Sequence, residues 1–337
     1  MVAGRTAFVT GGSGFVGGHL IRRLVADGVN VRALARSPAA DAKLEAAGAA
    51  SARGELGDVE SMSAAARGCE LAFHCAATVA EWGTRERFQR GTVDGTANAL
   101  AACRAAGVAR FVHVGTEAAL VAGQPLRDVD ETAPLRPDSK ALYGASKARA
   151  EQLVRAANGD GLETVVVRPR LVWGPGDTTI LPGLAAAVRG GRFRWLGGGR
   201  HLTSTTHVEN AVEGLVLAAA RGRPGGVYFV SDGEPVVFRD FVTQLLATEG
   251  LTIPEGSIPV PAARAAATAL EAIWRTLRLR GTPPITRTAV WLAGLEMTID
   301  ISRAREELGY RPLKTIAAGM AELSAAAGQT PPSPAKP

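Results

Sequence analysis

The chain has 337 residues, 46% of them hydrophobic, enough to bury a substantial core in one large or two interleaved domains. Basic residues number 38 against 32 acidic, a formal charge of +6 carried almost entirely by Arg. That Arg is scattered, with only WRTLRLR (274–280) locally dense. This excludes the clustered basic face with exposed aromatics that nucleic acid requires. It reads as solvated Arg, or more weakly as attraction to a cofactor phosphate or an anionic membrane surface.

Strands are predicted at TAFVT (6–10), NVRAL (30–34), LAFHC (71–75), RFVHV (110–114) and ETVVVR (163–168). Between them FVGGHLIRRLVADG, TANALAACRAAG and residues 139–158 place apolar residues at helical spacing. The alternation predicts an α/β fold, a Rossmann-like doubly wound parallel sheet. Its strands are apolar on both faces, as a sheet covered by helices requires. After Arg168, the turns of WGPGD, GGRFRWLGGG and the Pro-rich 253–261 break this rhythm. Helices are predicted near 208–221, 238–249 and 262–280. The expected organisation is a dinucleotide-binding domain over 1–172, to which 206–230 returns. A smaller, mostly helical C-terminal substrate cap follows over 173–325. A disordered tail over 326–337 ends in QTPPSPAKP.

Strand TAFVT ends at Thr10, and Gly11, Gly14 and Gly17 follow as GxxGxxG before a helix that Phe15 and Val16 open. Glycine permits the tight turn and lets backbone N–H groups approach a pyrophosphate, while the helix N-terminus adds partial positive charge. The second strand ends where an NAD enzyme places an acidic residue on the adenosine ribose. Here Ala35 stands there and Arg36 and Ser37 follow, suited to a 2′-phosphate. NADP(H) is therefore favoured, with NAD(H) left open. Glu55 and Leu56, closing the third strand in RGELGD, are placed at the adenine edge, against the alternative of a plain turn. Ala76, just past the fourth strand, joins the cofactor set.

Tyr143 and Lys147 lie at i and i+4, on one face of the helix predicted over 139–158. A free Tyr has a pKa of about 10. A neighbouring ammonium favours the phenolate, so Lys147 is expected to lower Tyr143 into a useful range for proton transfer. Thr116, at the end of the fifth strand, is expected to donate its hydroxyl proton to a substrate oxygen. Glu117 beside it reads as a solvated loop carboxylate without a role.

Cys69, Cys75 and Cys103 form no CxxC pair and are odd in number, which points to free thiols in a reducing, cytoplasmic setting. The five histidines (19, 74, 113, 201, 207) lack metal-ligand spacing, so no metal site is expected. MVAGRTAFVTGG has no apolar leader core, so no signal peptide is expected. No apolar run approaches the ~20 residues of a membrane span.

Taken together these residues resemble the extended short-chain dehydrogenase/reductase family, over roughly residues 5–325. TGGSGFVG is similar to its cofactor fingerprint, Thr116–Tyr143–Lys147 to its catalytic triad, and LGYRP (308–312) to its C-terminal signature. The resemblance also implies a supporting role for Asn98, and places Arg168 and Pro169 beside the nicotinamide carboxamide. RPRLVWGPGD, STTHVENAVEG and PPITR (283–287) most resemble the 3β-hydroxysteroid dehydrogenase branch. That branch includes sterol-4-carboxylate 3-dehydrogenases and enzymes of long-chain β-hydroxy or β-keto acids.

The resemblance implies an NAD(P)-dependent oxidoreductase interconverting a secondary alcohol and a ketone on a hydrophobic small molecule, with Tyr143 as general acid/base. It also implies a homodimer. Two features depart from the branch: several of its enzymes use NAD, which Ala35–Arg36 does not suit, and Thr116 stands where Ser is usual. A nucleotide-sugar epimerase or dehydratase is the alternative within the family, weakened because Leu171 replaces a hydrogen-bonding Asn. A non-catalytic dinucleotide-sensing regulator is the alternative of another class, weakened by the retained Tyr143 and Lys147. In the cap, Trp173, Leu181, Phe193, Trp195, Leu196 and AARAAATALEAIW suit an apolar substrate. Ordinary packing, a substrate lid and peripheral membrane contact compete as readings of that last segment.

Overall fold

The structure, a computed structural model, describes residues 2–328. Strands β1 (Thr6–Thr10), β2 (Asn30–Ala35), β3 (Ala50–Arg53), β4 (Leu71–His74), β5 (Arg110–Val114), β6 (Glu163–Pro169) and β7 (Val227–Val230) form one seven-stranded sheet. Its order is β7-β6-β5-β4-β1-β2-β3, and every neighbouring pair is parallel. The order reverses between β1 and β4, the place where doubly wound sheets open a crevice for ligand.

Period-two alternation builds a core on each face of this sheet. Ala7, Val9, Leu71, Phe73, Val112, Val165 and Val167 face one way, packing with helices α1 (Phe15–Ala26) and α7 (Val208–Arg221). Phe8, Ala72, Phe111 and Val166 face the other, packing with α3 (Val59–Ala66), α4 (Gly95–Ala105) and α5 (Leu142–Ala156). Helix α2 (Pro38–Ala46) starts on Ser37, whose hydroxyl accepts from Ala40 N at 3.3 Å, with Pro at its first position. The helix predicted from residue 139 begins at Leu142 instead. Ser139 Oγ donates to Val121 O at 2.7 Å and accepts from Ala141 N, tying those residues into a turn.

Beyond Pro169 the chain adds helices α6 (Ile180–Arg189), α8 (Phe238–Ala247), α9 (Val260–Thr276), α10 (Arg287–Gly294) and α11 (Ile316–Gly328). A four-stranded sheet runs Val236–Val237, Leu202–Thr203, Met297–Ile299, Leu126–Val129. Helix α9 stops short of the predicted 280 because Arg278 takes the left-handed region, with φ +50°. Trp173, Leu181, Phe193 and Trp195 are buried against Phe238, Phe241, Leu245 and Leu246, making a core of their own. They hold this region together rather than line an open cavity, a correction to their reading as substrate contacts. The three cysteines are free, Cys69 and Cys103 buried and Cys75 half-buried. Among the described residues no helix is long and apolar enough to cross a membrane. Residues 326–328 of the expected tail continue α11, and QTPPSPAKP lies outside the described residues.

Candidate active site

The glycine loop is built for close approach. Gly11 has φ +71°, and a Cβ there would stand 2.6 Å from Ala76 N. A Cβ on Gly17 would collide with the Gly11 carbonyl oxygen. These glycines thus let β1, α1 and the segment after β4 meet at the sheet's reversal point. Gly14 is the N-cap of α1 and no side chain caps it, so the first N–H groups of the helix stay available to a ligand. Phe15 and Val16 form the first turn of that helix.

Arg36 emerges exposed from the end of β2 and makes no ion pair among the described residues, while Ala35 brings no carboxylate. Glu55 and Leu56 sit in the turn after β3, which ends at Arg53, rather than in the strand. The turn is held by Asn98, whose Nδ2 donates to Leu56 O at 2.8 Å. Asn98 thus supports the turn that carries Glu55 and Leu56.

Tyr143 lies in the first turn of α5 and Lys147 one turn on. Tyr143 keeps part of its surface open and lies beside Thr116, which follows β5. Its phenol is pushed above the usual tyrosine value by burial and then by the charge of Glu117. This reverses the expected lowering by Lys147. The Lys147 ammonium instead donates to Val114 O at 2.5 Å and meets His113 Nε2 at 3.3 Å. Burial lowers it to about 8, with Glu151 and Cys75 opposing.

Beneath Lys147 lie two imidazoles. His113 stacks on His74 with centroids 5.5 Å apart, and His74 is held by Thr10 at 2.7 Å and Thr96 at 3.0 Å. Burial and Lys147 bring His74 to about 3, so the layer under the ammonium is neutral.

Sequence reasoning missed two buried ion pairs at this site. Glu151 receives Arg168 Nε at 2.9 Å and Nη2 at 2.5 Å, both residues having no exposed side-chain surface. The Arg168 side chain therefore braces α5 against the sheet instead of reaching toward a ligand. Pro169 follows it at the end of β6. The second pair corrects the reading of Glu117 as solvated. Glu117 is 3% exposed, accepts the Thr116 hydroxyl proton at 2.8 Å and receives Arg170 Nη1 at 3.1 Å. The Thr116 proton is thereby committed to the carboxylate, leaving its oxygen only acceptor positions. Glu117 lies in the run VGTEAALV, and a lone acid amid apolar neighbours was the available signal.

The parallel sheet, the glycine loop and the tyrosine helix beside it are the architecture of an extended short-chain dehydrogenase/reductase, a class that binds a nicotinamide dinucleotide. A family model described as the 3-beta hydroxysteroid dehydrogenase/isomerase family matches residues 8–260, and the chain belongs to that family. It is an oxidoreductase acting on the CH–OH/C=O couple.

One relative, the 4-hydroxy-2-methyl-3-oxo-4-farnesyl-3,4-dihydroquinoline-1-oxide ketoreductase of Stigmatella aurantiaca, is 49% identical over 324 residues, 96% of this chain and 97% of its own. Another, the 2-alkyl-3-oxoalkanoate reductase of Stenotrophomonas maltophilia, is 38% identical, covering 94% of this chain and 98% of its own. In fold, the chain resembles the dTDP-glucose 4,6-dehydratase of Streptomyces venezuelae solved with NAD, at a TM-score of 0.74 and 23% identity. That match covers 96% of this chain and 97% of the other.

Proposed function

We propose that this protein reduces the ketone of a hydrophobic small molecule with NADPH, Tyr143 acting as general acid. The observation that carries this reading is the environment of Tyr143. Burial and Glu117 hold its phenol protonated at neutral pH, the form needed to give a proton to an oxygen on which negative charge develops. Thr116 aims that phenol by accepting its hydrogen bond.

The residues present fit a nicotinamide dinucleotide, since Gly11 and Gly17 leave no room for side chains where a pyrophosphate would approach the backbone. The bound dinucleotide supplies the hydride for reduction, or accepts it in the reverse direction. Gly11, Gly14, Phe15, Val16 and Gly17 would hold the pyrophosphate, and Ala76, Pro169 and the Arg168 main chain the nicotinamide end. Glu55 and Leu56 would meet the adenine, and Lys147 the nicotinamide ribose. Arg36, exposed and without an ion pair among the described residues, would take the 2′-phosphate. The Ser37 hydroxyl proton can join it, since that oxygen accepts from Ala40 N.

A long-chain or ring-bearing substrate is supported by the farnesyl quinoline and 2-alkyl-3-oxoalkanoate chemistry of the two relatives. Peripheral contact with an anionic lipid surface is part of the proposal. Ile273, Leu277 and Leu279 are exposed beside Arg275, Arg278 and Arg280 at the end of α9. A cytoplasmic homodimer completes it, by resemblance to the family.

The test is Tyr143→Phe assayed with NADPH and a panel of long-chain β-keto acids, steroid ketones and aromatic ketones. Turnover seen in the wild type should vanish while NADPH affinity stays within about twofold. Undiminished turnover in the variant overturns the mechanism. Tight binding of a nucleotide-sugar would move the assignment to epimerase chemistry.

A further inference from the structure

The bonds around Thr116 run in one direction. A hydroxyl has one proton to donate and two lone pairs to accept with. Thr116 gives its proton to Glu117 Oε2 at 2.8 Å and accepts from Ala118 N at 3.2 Å, which leaves its oxygen one acceptor position and no proton for a neighbour. Glu117 is in turn held by Arg170 Nη1 at 3.1 Å. The guanidinium continues outward, its Nη2 donating to Thr203 Oγ1 at 3.1 Å and to Leu292 O at 2.9 Å. Thr203 belongs to the four-stranded sheet and Leu292 to α10, both outside the seven-stranded sheet. A continuous polar chain therefore runs from Thr116 to the part of the molecule expected to close over the substrate. Glu117 and Arg170 are each only 3% exposed, too dry for a pair that merely decorates a loop.

We propose that Glu117 and Arg170 are a positioning pair for the reaction. Glu117 points the Thr116 hydroxyl so that it can only accept from Tyr143, and its charge keeps Tyr143 in the acid form. Arg170 fixes the carboxylate and couples this setting to Leu292 and Thr203. This inference rests on the proposed role of Tyr143 as proton donor. The charge acting on the Tyr143 phenol is that of Glu117 from the turn after β5, which Arg170 from the end of β6 pairs, and Lys147 stands one turn along the same helix. The Lys147 ammonium is engaged by Val114 O and His113, so the charge left to act on the phenol is that of the Glu117 carboxylate. The upward push that Glu117 exerts on the phenol agrees with this.

The test uses the whole chain and needs no substrate for its first readout. The protein has three tyrosines, so a pH titration of phenolate absorbance, taken as the difference between a protein and its Tyr143→Phe counterpart, isolates one of them. Glu117→Gln keeps the shape and removes the charge. At a fixed pH below the midpoint its Tyr143 phenolate fraction should rise about tenfold, the equivalent of ~1.4 kcal/mol. In parallel, the alkaline fall of kcat/KM for reduction of a long-chain 3-oxoalkanoate with NADPH should move to lower pH.

Because Glu117→Gln strands a buried guanidinium, the double variant Glu117→Gln/Arg170→Met is made alongside it, and a shift in the same direction but smaller is expected there. A merely structural pair would lower the rate and leave both midpoints in place, and that outcome overturns the proposal. Should Tyr143→Phe itself remain active, the reading of Tyr143 fails first, whatever the titration gives.

Discussion

Arg168 and Glu151 offer the sharpest test of how the fold holds the helix that carries Tyr143 and Lys147. Tyr143, Lys147 and Glu151 occupy successive turns along one face of α5, and Glu151 is locked to Arg168 by two bonds of 2.9 and 2.5 Å. Arg168 also lies 5.2 Å over the ring of Phe229 in β7. Replacing Arg168 by Met leaves a carboxylate buried without its partner, which costs about 3–5 kcal/mol. Unfolding entropy of roughly 2.1 cal/mol/K per residue gives about 0.7 kcal/mol/K for a chain of this length. The expected fall in Tm is therefore about 4–7 °C.

Replacing both partners by Met removes the two charges together, and a dry apolar pair of similar volume is often neutral or better. The unpartnered Arg168 Nη1 in the native pair argues the same way. The double variant should melt within about 2 °C of wild type. Differential scanning calorimetry at neutral pH without added dinucleotide decides the matter. A single variant as stable as wild type, or a double variant as weak as the single, would refute the reasoning.

Gly17→Ala should destabilise by about 1–3 kcal/mol, because its methyl meets the Gly11 carbonyl. It should also weaken dinucleotide binding more than tenfold in a nicotinamide fluorescence titration, and normal affinity would show that α1 can shift freely. Arg36→Ala should raise the Kd for NADPH about 10- to 100-fold, the worth of a charge-assisted contact, and change that for NADH little. An unchanged preference removes the case for NADPH.

Lys147 carries a pH signature, since burial lowers it from 10.5 to about 8. The unfolded chain then holds the proton more tightly than the native one. Stability relative to Lys147→Met must accordingly rise as pH climbs from about 8 to 10.5. Thermal melts that stay parallel across that window would show the ammonium to be solvated.

The parts of the molecule legible in sequence were those written locally. The glycine loop, the strand alternation and the Tyr143–Lys147 spacing each sit within one or two adjacent elements, where period and turn chemistry leave a mark. The pairs Glu117–Arg170 and Glu151–Arg168 did not: the first joins residues 53 apart, and the second, though in consecutive elements, pairs and is buried only once α5 packs on the folded sheet. The apolar residues beyond Pro169 misled for a related reason. Hydrophobicity says that Trp173 and Trp195 leave water, but not whether a neighbour or a ligand covers them, and here the cover is Phe241 and Phe238. The level of the Tyr143 phenol was misjudged because proximity along α5 says nothing about where the Lys147 ammonium finds its own acceptors.

The edge strand Val227–Val230 has a consequence for how the molecule assembles. It hydrogen-bonds to Glu163–Pro169 only after the chain has travelled through some sixty intervening residues. A nascent chain halted before it would present the backbone of that penultimate strand to any passing partner. Completion of the sheet therefore waits for synthesis to run well past Tyr143 and Lys147, and a truncation between the two strands should aggregate rather than yield a smaller folded unit.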